Sequence, residues 1–248
     1  MLPVDEMAIY IIERFRHSAM KVSVIIPTRN EERSIGKVIG NIHLALRSMD
    51  GARYEILVVD TDSKDKTREI ARSLGARVID EPRRGYGRAY KTGFAEAKGE
   101  FIVTIDGDLT YPAESIPELI GMLEKESLDF INCDRLTLLE PGVMSALHKF
   151  GNWGLTVWTN LLFKIKIKDS QSGMWVFRRA ILEKMELTCD EMQLSEEIKI
   201  EAFRKTRAKE IPIKYGRREG EAKLRSFSDG WKNLKFLFSK RMKRRREK

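Results

Sequence analysis

The chain has 248 residues, of which 42% are hydrophobic, so it is long enough for one α/β domain with a sizeable core. Its net charge of +9 is uneven: residues 239–248 hold seven basic and one acidic side chain, which leaves +3 on residues 1–238. This distribution argues against a nucleic-acid-binding face spread over the fold, and two cysteines and three scattered histidines argue against a disulfide scaffold or a zinc site.

The first 20 residues predict a short amphipathic helix rather than a signal peptide, because acidic residues come early and no small-residue cleavage site follows. No stretch approaches the roughly 20 apolar residues of a membrane span. The low cysteine content suits a reducing compartment. We therefore expect a cytoplasmic protein that is either soluble or attached to a membrane surface.

From residue 21 to about residue 133, short β-branched runs alternate with helical patterns. The runs are almost continuously apolar, which is typical of strands covered by helices on both faces. The repetition predicts a parallel, doubly wound α/β sheet that binds ligands beyond the carboxyl ends of its strands. The predicted strands are 22–26, 55–60, 77–80, 101–106 and 129–133, and the predicted helices are 31–47, 64–74, 86–97 and 114–126.

Beyond residue 140 the pattern predicts a helix over 145–163, a β-element over 174–177, a helix over 194–205 and a strand over 210–215. The last segment spaces its apolar residues on one helix face and continues into the basic tail; they are Phe227, Trp231, Leu234, Phe238 and Met242. We predict one catalytic domain over 21–225, between the helix over 1–20 and an amphipathic basic helix over 226–248.

The strongest chemical signal is Asp106-Gly107-Asp108, directly after an apolar strand. Residues i and i+2 of an extended chain point the same way, so both carboxylates can face one point. Two converging carboxylates suit a hard divalent cation that also binds substrate phosphates. The alternative is a turn that merely caps the next helix, which begins after Tyr111-Pro112.

Three further polar clusters follow predicted strands or precede a helix. Pro27 to Glu31 ends the first strand, Asp60 ends the second, and Arg84, Gly85 and Gly87 lie in a glycine-rich segment that permits close approach to phosphates. Each cluster has a structural alternative in capped turns. No P-loop pattern occurs, which argues against a nucleotidyltransferase.

Together these residues resemble the family 2 glycosyltransferases of the GT-A fold, and within them the polyprenyl-phosphate branch that includes dolichol-phosphate mannosyltransferase. The resemblance covers roughly residues 21–238. It rests on several strings in family order: VSVIIPTRNEE, EILVVDTDSKDKT, EPRRGYGRAYKTGFAEAKGEFIVTIDGDLTYPAE, GNWGLTVWTNLLF, KDSQSGMWVFRRAIL and IPIKYGRREGEAKL. The resemblance implies a Rossmann-like, mainly parallel sheet flanked by helices, with the amphipathic basic helix at its C-terminal end.

The resemblance also implies roles for individual residues. The nucleotide pocket would include Pro27, Arg29, Glu31, Asp60, Arg84, Gly85 and Gly87. The metal-binding residues would be Asp106 and Asp108, with Thr110 at the position where many relatives carry Gln. The acceptor and leaving-group residues would be Arg135, Asp169, Ser172, Glu197, Arg217 and Lys223. Thr61 and Ala222 depart from the family pattern, which has Asp and Ser there.

The implied reaction transfers a hexose or HexNAc, with inversion, from a GDP- or UDP-sugar to a polyprenyl or dolichyl phosphate. Mg²⁺ or Mn²⁺ would neutralise the departing diphosphate. A phosphate acceptor is already ionised and needs a cation such as Arg135. A hydroxyl acceptor needs a base, and Asp169, Glu196 or Glu197 keeps that alternative open.

An apolar stripe that ends in basic residues is typical of an interfacial helix on an anionic membrane. We therefore expect peripheral attachment at the cytoplasmic face, through this helix or a separate membrane protein. The segment 153–163 either joins that surface or is a core helix. A rival hypothesis, a basic nucleic-acid-binding protein on an inactive transferase scaffold, lacks aromatic–basic interleaving in the body of the chain, so we expect no nucleic-acid partner.

Overall fold

A computed structural model describes residues 21–49, 53–219 and 226–246. The predicted helix over 1–20 and Lys223 therefore lie outside the described residues. The described chain contains a seven-stranded sheet. The strands are β1 (Val22–Thr28), β2 (Tyr54–Asp60), β3 (Arg77–Asp80), β4 (Phe101–Thr104), β5 (Phe130–Asp134), β6 (Trp175–Arg178) and β7 (Ala208–Pro212).

The helices of the described residues lie close to the positions expected from the sequence. They are α1 (Ile35–Arg47), α2 (Thr67–Ser73), α3 (Tyr86–Glu96), α4 (Ile116–Lys125), α5 (Ala146–Phe163), α6 (Leu194–Lys205) and α7 (Ser226–Arg246). Helix α1 begins later than the predicted residue 31, because residues 32–34 form a turn after β1. A 3-10 turn, Ala113–Ser115, leads into α4 in the same way.

The sheet order is β3-β2-β1-β4-β6-β5-β7. The first four strands in this order are parallel, as predicted, but β6 runs antiparallel to both β4 and β5. The described sheet is therefore mainly parallel, as expected, with β6 as its antiparallel member. The chain reaches β6 after the long excursion through α5, which returns it in the opposite direction.

Alternate residues of the central strands feed two cores, one on each face of the sheet. One face packs Val24, Ile26 and Val58 against α1 and α4. The other packs Ile25, Leu57 and Val59 against α3 and α6. Burial on both faces explains why these strands have continuous apolar sequences.

Pro27 does not end the first strand, as the sequence suggested, but lies inside β1 opposite Val59. On the other side, β1 pairs with β4 only as far as Ile25. A proline lacks the backbone N–H group, so it fits a position where one neighbouring strand has already ended. The carboxyl end of β1 therefore stays ordered up to Thr28, at the edge of the sheet where the site forms.

Helix α5 presents its apolar stripe to the outside. Leu147, Phe150, Trp153, Val157 and Leu161 are exposed, whereas Thr156 and Thr159 are buried. The alternative of a core helix was therefore wrong for most of this segment. Helix α7 packs against α5 and buries Leu237 and Asn233 while exposing Trp231, Phe238 and Met242. Both helices therefore direct large apolar side chains to the same outer region, where Trp158 contacts Phe238.

Candidate functional site

The segment Asp106-Gly107-Asp108 leaves β4 at the carboxyl edge of the sheet and packs against the loop after β1. The Ser34 hydroxyl donates to the Gly107 carbonyl oxygen at 2.6 Å. A side chain at Gly107 would meet Thr28 and Glu31. The close fit fixes both aspartates beside the end of β1, as expected for a site beyond strand carboxyl ends.

The Asp106 carboxyl group lies in a polar but poorly solvated position. The Tyr90 hydroxyl lies 3.3 Å from its Oδ1 atom. Burial, and then the neighbouring charge of Asp108, raise the pKa of Asp106 to about 7, although Arg218 and Arg135 oppose the shift. A carboxylate that is costly to ionise beside a second carboxylate is well suited to a cation.

Asp108 is buried, and both of its oxygens have partners. The Thr110 hydroxyl donates to Oδ1 at 2.6 Å, and Arg218 Nε contacts Oδ2 at 2.7 Å. Thr110 thus positions Asp108, and its own role as a metal ligand stays a prediction. The basic residue on this motif is Arg218 and not Arg217, whose guanidinium lies beside Gly142.

Arg135 and Asp169 form a buried, bidentate ion pair next to the aspartate motif. Arg135 Nε lies 2.7 Å from Asp169 Oδ2, and its terminal nitrogen lies 2.9 Å from Oδ1. The Arg135 guanidinium also stacks on the Tyr215 ring. Burial alone would raise the pKa of Asp169, but the charge and hydrogen bonds of Arg135, together with the charge of Lys199, outweigh burial and lower that pKa. The result is a fixed guanidinium within electrostatic reach of Asp106.

The loop 169–173 connects this ion pair to Asp106. The Gly173 N–H donates to the Tyr111 hydroxyl at 2.6 Å, and the Gly173 carbonyl accepts from Thr104 at 2.8 Å. A side chain at Gly173 would clash with the Tyr86 hydroxyl and lie 3.4 Å from Asp106 Oδ1. Glycine is therefore required by close packing, and the loop is held against the floor of the site.

A fully buried lysine of α6, Lys199, also binds the loop 169–173. Lys199 Nζ donates to the carbonyl oxygens of Ser170, Ser172 and Ser195 at 2.6 to 2.9 Å. Ser172 is itself fully buried, so in this structure its contacts are with the protein. Loss of solvent lowers the pKa of Lys199 to about 7. These bonds make the loop part of the α6 framework.

The two glutamates at the start of α6 are both fully buried, so neither is a solvated acid of the first helical turn. Glu197 accepts from the backbone N–H groups of Thr188 and Cys189 and pairs with Lys240 of α7 at 3.0 Å. Glu196 Oε1 accepts from Gln171 at 2.7 Å, whereas its Oε2 atom has no hydrogen-bond partner. Burial raises the pKa of Glu196 to about 8. Glu197 thus serves as an anchor in this structure, and its role at the acceptor stays a prediction.

Asp60 organises the loops after β1 and β2. Its oxygens accept from the hydroxyl groups of Thr28 and Ser63 and from the Ser63 N–H. Asp60 is nearly fully buried, whereas Arg29, which follows the end of β1, is exposed. In the same loop, the Glu31 N–H donates to the Thr67 hydroxyl. The structure therefore brings the nucleotide-pocket candidates together at one edge, with Asp60 bound to the loops themselves.

Gly85 and Gly87 are approached by the protein's own backbone. The segment 189–191 packs so closely that a Cβ atom on Gly87 would lie 2.6 Å from the Cys189 carbonyl oxygen, and Gly85 faces Asp190 with a φ of 143°. Arg84 contacts Asp62 at 3.3 Å. The glycines thus satisfy an internal packing demand, and their predicted phosphate contacts are untested.

Four residues that the sequence did not single out complete the site: Tyr90, Tyr111, Lys199 and Arg218. Tyr86 and Tyr90, four residues apart on one helix face, were a usable signal. So was Lys199, a cation between Ile198 and Ile200 in α6. Within the described ranges, no group of three or more His, Cys, Asp or Glu side chains could hold a metal ion. Asp106 and Asp108 fit a divalent cation that takes its other ligands from substrate or water.

Comparison with known sequences identifies the region around this site. The family described as Glycosyl transferase family 2 matches residues 23–186. The chain is 39% identical over 222 residues to a low-salt glycan biosynthesis hexosyltransferase of Haloferax volcanii, covering 88% of this chain and 53% of that protein. It is 36% identical to a dolichyl-phosphate hexose transferase of the same organism, covering 84% of this chain and 89% of that protein.

A dolichol-phosphate mannosyltransferase of Pyrococcus furiosus is 34% identical, covering 83% of this chain and 60% of that protein. The chain thus spans little more than half of the first of these relatives and most of the second. A solved structure of Mycobacterium tuberculosis glucosyl-3-phosphoglycerate synthase with UDP superimposes with a TM-score of 0.72 at 21% identity, covering 90% of this chain and 81% of that one. That similarity establishes the fold.

We expect Gly85→Ala to destabilise the folded protein by about 3 kcal/mol or more, because alanine strains a positive φ and collides with the Asp190 backbone. Gly121→Ala in α4, where nothing lies within 4 Å, is the control and should be neutral or stabilising by up to about 1 kcal/mol. Denaturant unfolding without nucleotide measures both. Equal stabilities would contradict a structural role for Gly85.

We expect Glu196→Gln to stabilise the protein increasingly as the pH rises from 4.5 to about 8. In that window the unfolded chain has released the Glu196 proton and the folded protein has not, so the wild type loses stability with rising pH. The difference should reach a few kcal/mol above pH 8, on the order of 1.4 kcal/mol per pH unit at most. Thermal unfolding across this range tests it, and a pH-independent difference would contradict the buried neutral carboxyl.

Proposed function

The chain belongs to glycosyl transferase family 2, and on that premise we propose that it transfers a hexose or HexNAc from a nucleotide sugar, GDP-mannose or a UDP-sugar, to a polyprenyl phosphate. Two relatives are named for dolichyl-phosphate or dolichol-phosphate transfer, which supports this acceptor class. The proposal must also fit the side chains of the site.

The observation that carries the proposal is the fixed guanidinium of Arg135. Asp169 holds it by two nitrogens, and Tyr215 supports its face, so it needs little reorganisation to bind an anion. An acceptor phosphate beside Arg135 would be held near Asp106, where the donor diphosphate is expected. Such positioning is the main catalytic need when the nucleophile is already charged.

The carboxylates assigned to the acceptor side support the same conclusion. Both oxygens of Asp169 accept from Arg135. Glu197 accepts from the backbone N–H groups of Thr188 and Cys189, from the Thr188 hydroxyl and from Lys240 Nζ. Neither group is available as a general base for a hydroxyl without breaking these bonds, and Glu196, the third candidate, is fully buried beside Gln171. A phosphate oxygen requires no such base.

On the donor side, we propose that Asp106 and Asp108 hold Mg²⁺ or Mn²⁺. The ion would neutralise charge on the leaving diphosphate. Arg218, which contacts Asp108 at 2.7 Å, would contact the same phosphate oxygens. Pro27, Arg29, Glu31 and Asp60 would shape the nucleoside end of this pocket.

We further propose that the protein meets a membrane through the α5–α7 apolar face, which we define as the exposed apolar side chains of those two helices. They are Leu147, Phe150, Trp153, Val157, Trp158 and Leu161 of α5 and Trp231, Phe238 and Met242 of α7. This face holds nine of the twelve large apolar side chains that are exposed in the described residues, which is far from the scattered distribution normal for a protein surface.

Charge supports a bilayer as the occupant of this face. Helix α7 carries the basic tail, and an apolar face bordered by lysine and arginine is typical of an interfacial helix on anionic lipids. Among the helices of the described residues, none has both the length and the apolar character needed to cross a bilayer. Attachment to the cytoplasmic face follows from the same proposal.

The transfer reaction is tested by incubating the protein with labelled UDP- and GDP-sugars, polyprenyl phosphate and Mg²⁺ or Mn²⁺. We expect label in the lipid-phosphate fraction, lowered by at least about a hundredfold in Asp106→Asn, which removes a charge that holds the cation. Asp129→Asn, before β5 at the opposite end of the strands, is the control and should retain activity. Label found only on a soluble hydroxyl compound would overturn the acceptor assignment.

Membrane attachment is tested by vesicle co-sedimentation of Phe150→Ser and Phe238→Ser. Each should lower partitioning about tenfold or more, since burying one such side chain contributes roughly 1.5–3 kcal/mol. Leu44→Ser is the control, because Leu44 is 67% exposed and Phe150 68%, but Leu44 lies on α1. Deleting residues 239–248 would be harder to interpret, because it also removes Lys240, which pairs with the buried Glu197 and Glu201. Equal partitioning of the three variants would refute the α5–α7 apolar face as the contact.

A further inference from the structure

A cavity of about 390 Å³, whose lining includes no residue of the aspartate motif, lies between the end of α5, the end of α6 and the C-terminal part of α7. We call it the α5–α6–α7 cavity. Its lining consists of three apolar and three basic side chains: Phe163, Ile165, Phe203, Lys164, Arg204 and Arg241. The lining includes no acidic side chain, and the volume lies in the range of small-molecule sites.

Two features give the cavity a defined shape. Phe163 and Ile165 are buried in a small core with Ile200 and Leu237, so the apolar floor is tied to both α6 and α7. Lys164 ends α5 in the left-handed conformation, with a φ of 55°, which turns the chain sharply at the rim. The three basic residues thus come from three separate elements and converge only in the folded protein.

The charge balance around the cavity is positive. Glu201, an acid of α6 three residues before the lining residue Arg204, is paired with Lys205 and Lys240. Lys240 also pairs with Glu197, so it is committed to the framework rather than to the cavity. Arg241, the next residue of α7, lines the cavity instead. A ligand here should therefore be an anion.

The segments that line the cavity also carry residues of the α5–α7 apolar face. Leu161 lies about one helical turn before the lining residue Lys164, and Met242 directly follows Arg241; the side chains of Leu161 and Met242 are exposed. A ligand that occupies the cavity would therefore carry its anionic group beside a surface that favours acyl chains. This combination of an anionic group and an apolar remainder is the chemistry of a membrane lipid.

We propose that the α5–α6–α7 cavity binds the phosphate headgroup of an anionic bilayer lipid. This inference rests on the membrane attachment proposed above and deepens it, because it adds a specific headgroup site to a general apolar and electrostatic contact. Lys164 and Arg241 would contact the phosphate, and the apolar floor would contact the glycerol. The site is separate from Asp106, Arg135 and the acceptor position.

The test measures binding of the full chain to phosphatidylcholine vesicles with and without phosphatidylglycerol. Arg241→Gln and Lys164→Gln remove cavity charges. Lys232→Gln on α7 and Lys166→Gln after α5 are the matched controls, because both are exposed, both lie outside the cavity lining, and each changes the net charge equally. One basic residue near an anionic surface contributes roughly 1 kcal/mol, or about fivefold in affinity.

We expect the controls to lose about fivefold or less in affinity for phosphatidylglycerol vesicles, and the cavity variants to lose clearly more. Equal losses in both pairs would overturn the site and leave only diffuse electrostatic attraction. Competition by inorganic phosphate or glycerol phosphate that abolishes vesicle binding would assign the cavity to a soluble phosphate instead, and would also overturn the proposal.

Transfer to polyprenyl phosphate in detergent, measured in parallel, separates this inference from the proposed function. We expect Arg241→Gln to retain wild-type transfer, since Arg241 lies outside the reaction site. If the wild type shows no transfer but the cavity variants still lose vesicle affinity selectively, the proposed reaction fails and the headgroup site stands. If transfer is normal and vesicle binding does not depend on phosphatidylglycerol, the headgroup site is contradicted and the proposed transfer reaction is not.

Discussion

The buried ion pair between Arg135 and Asp169 is the interaction on which the site depends. It joins the end of β5 to the loop before β6, two segments separated by the whole of α5. Removing one partner of such a pair leaves an uncompensated buried charge and typically costs roughly 3–5 kcal/mol. The same pair therefore orients a guanidinium for an anion and stabilises the region where the sheet changes strand direction.

The loop 169–173 transmits this constraint to the aspartate motif. Lys199 holds the loop through backbone carbonyls, and Tyr111 and Thr104 hold Gly173 against β4. These bonds come from α6, β4 and the segment after Asp108, so the Arg135–Asp169 pair and the aspartate motif share one support. Preorganisation of this kind would suit the proposed transfer, in which an acceptor phosphate oxygen bonds to the sugar carbon as the bond from that carbon to the diphosphate breaks, because little reorganisation remains to be done at the moment of transfer.

The surface formed by α5 and α7 has the opposite distribution of polar and apolar residues from the protein core. Helices α5 and α7 bury threonine, asparagine and a few aliphatic residues against the body and expose most of their aromatic residues. Helix α7 is nevertheless connected to the site region, since Asn233 donates to Gln171 at 2.9 Å and Lys240 pairs with Glu197. The surface proposed to meet the membrane and the loop that holds Arg135 are therefore parts of one packed unit.

The sequence alone determined the alternation of strands and helices, the family, the position of Asp106 and Asp108 and the amphipathic character of the last helix, because each depends on local periodicity or on short contiguous strings. Only the tertiary structure decided the antiparallel β6, the outward orientation of the α5 stripe, the choice of Arg218 over Arg217 beside Asp108, and the internal partners of Gly85 and Gly87. The helical spacing of the α5 sequence shows that one face of the helix is apolar. It does not show whether another part of the protein covers that face. Contacts between residues about a hundred positions apart, such as Arg218 with Asp108, depend on how the strands and loops are arranged in the folded protein. No local sequence pattern encodes that arrangement.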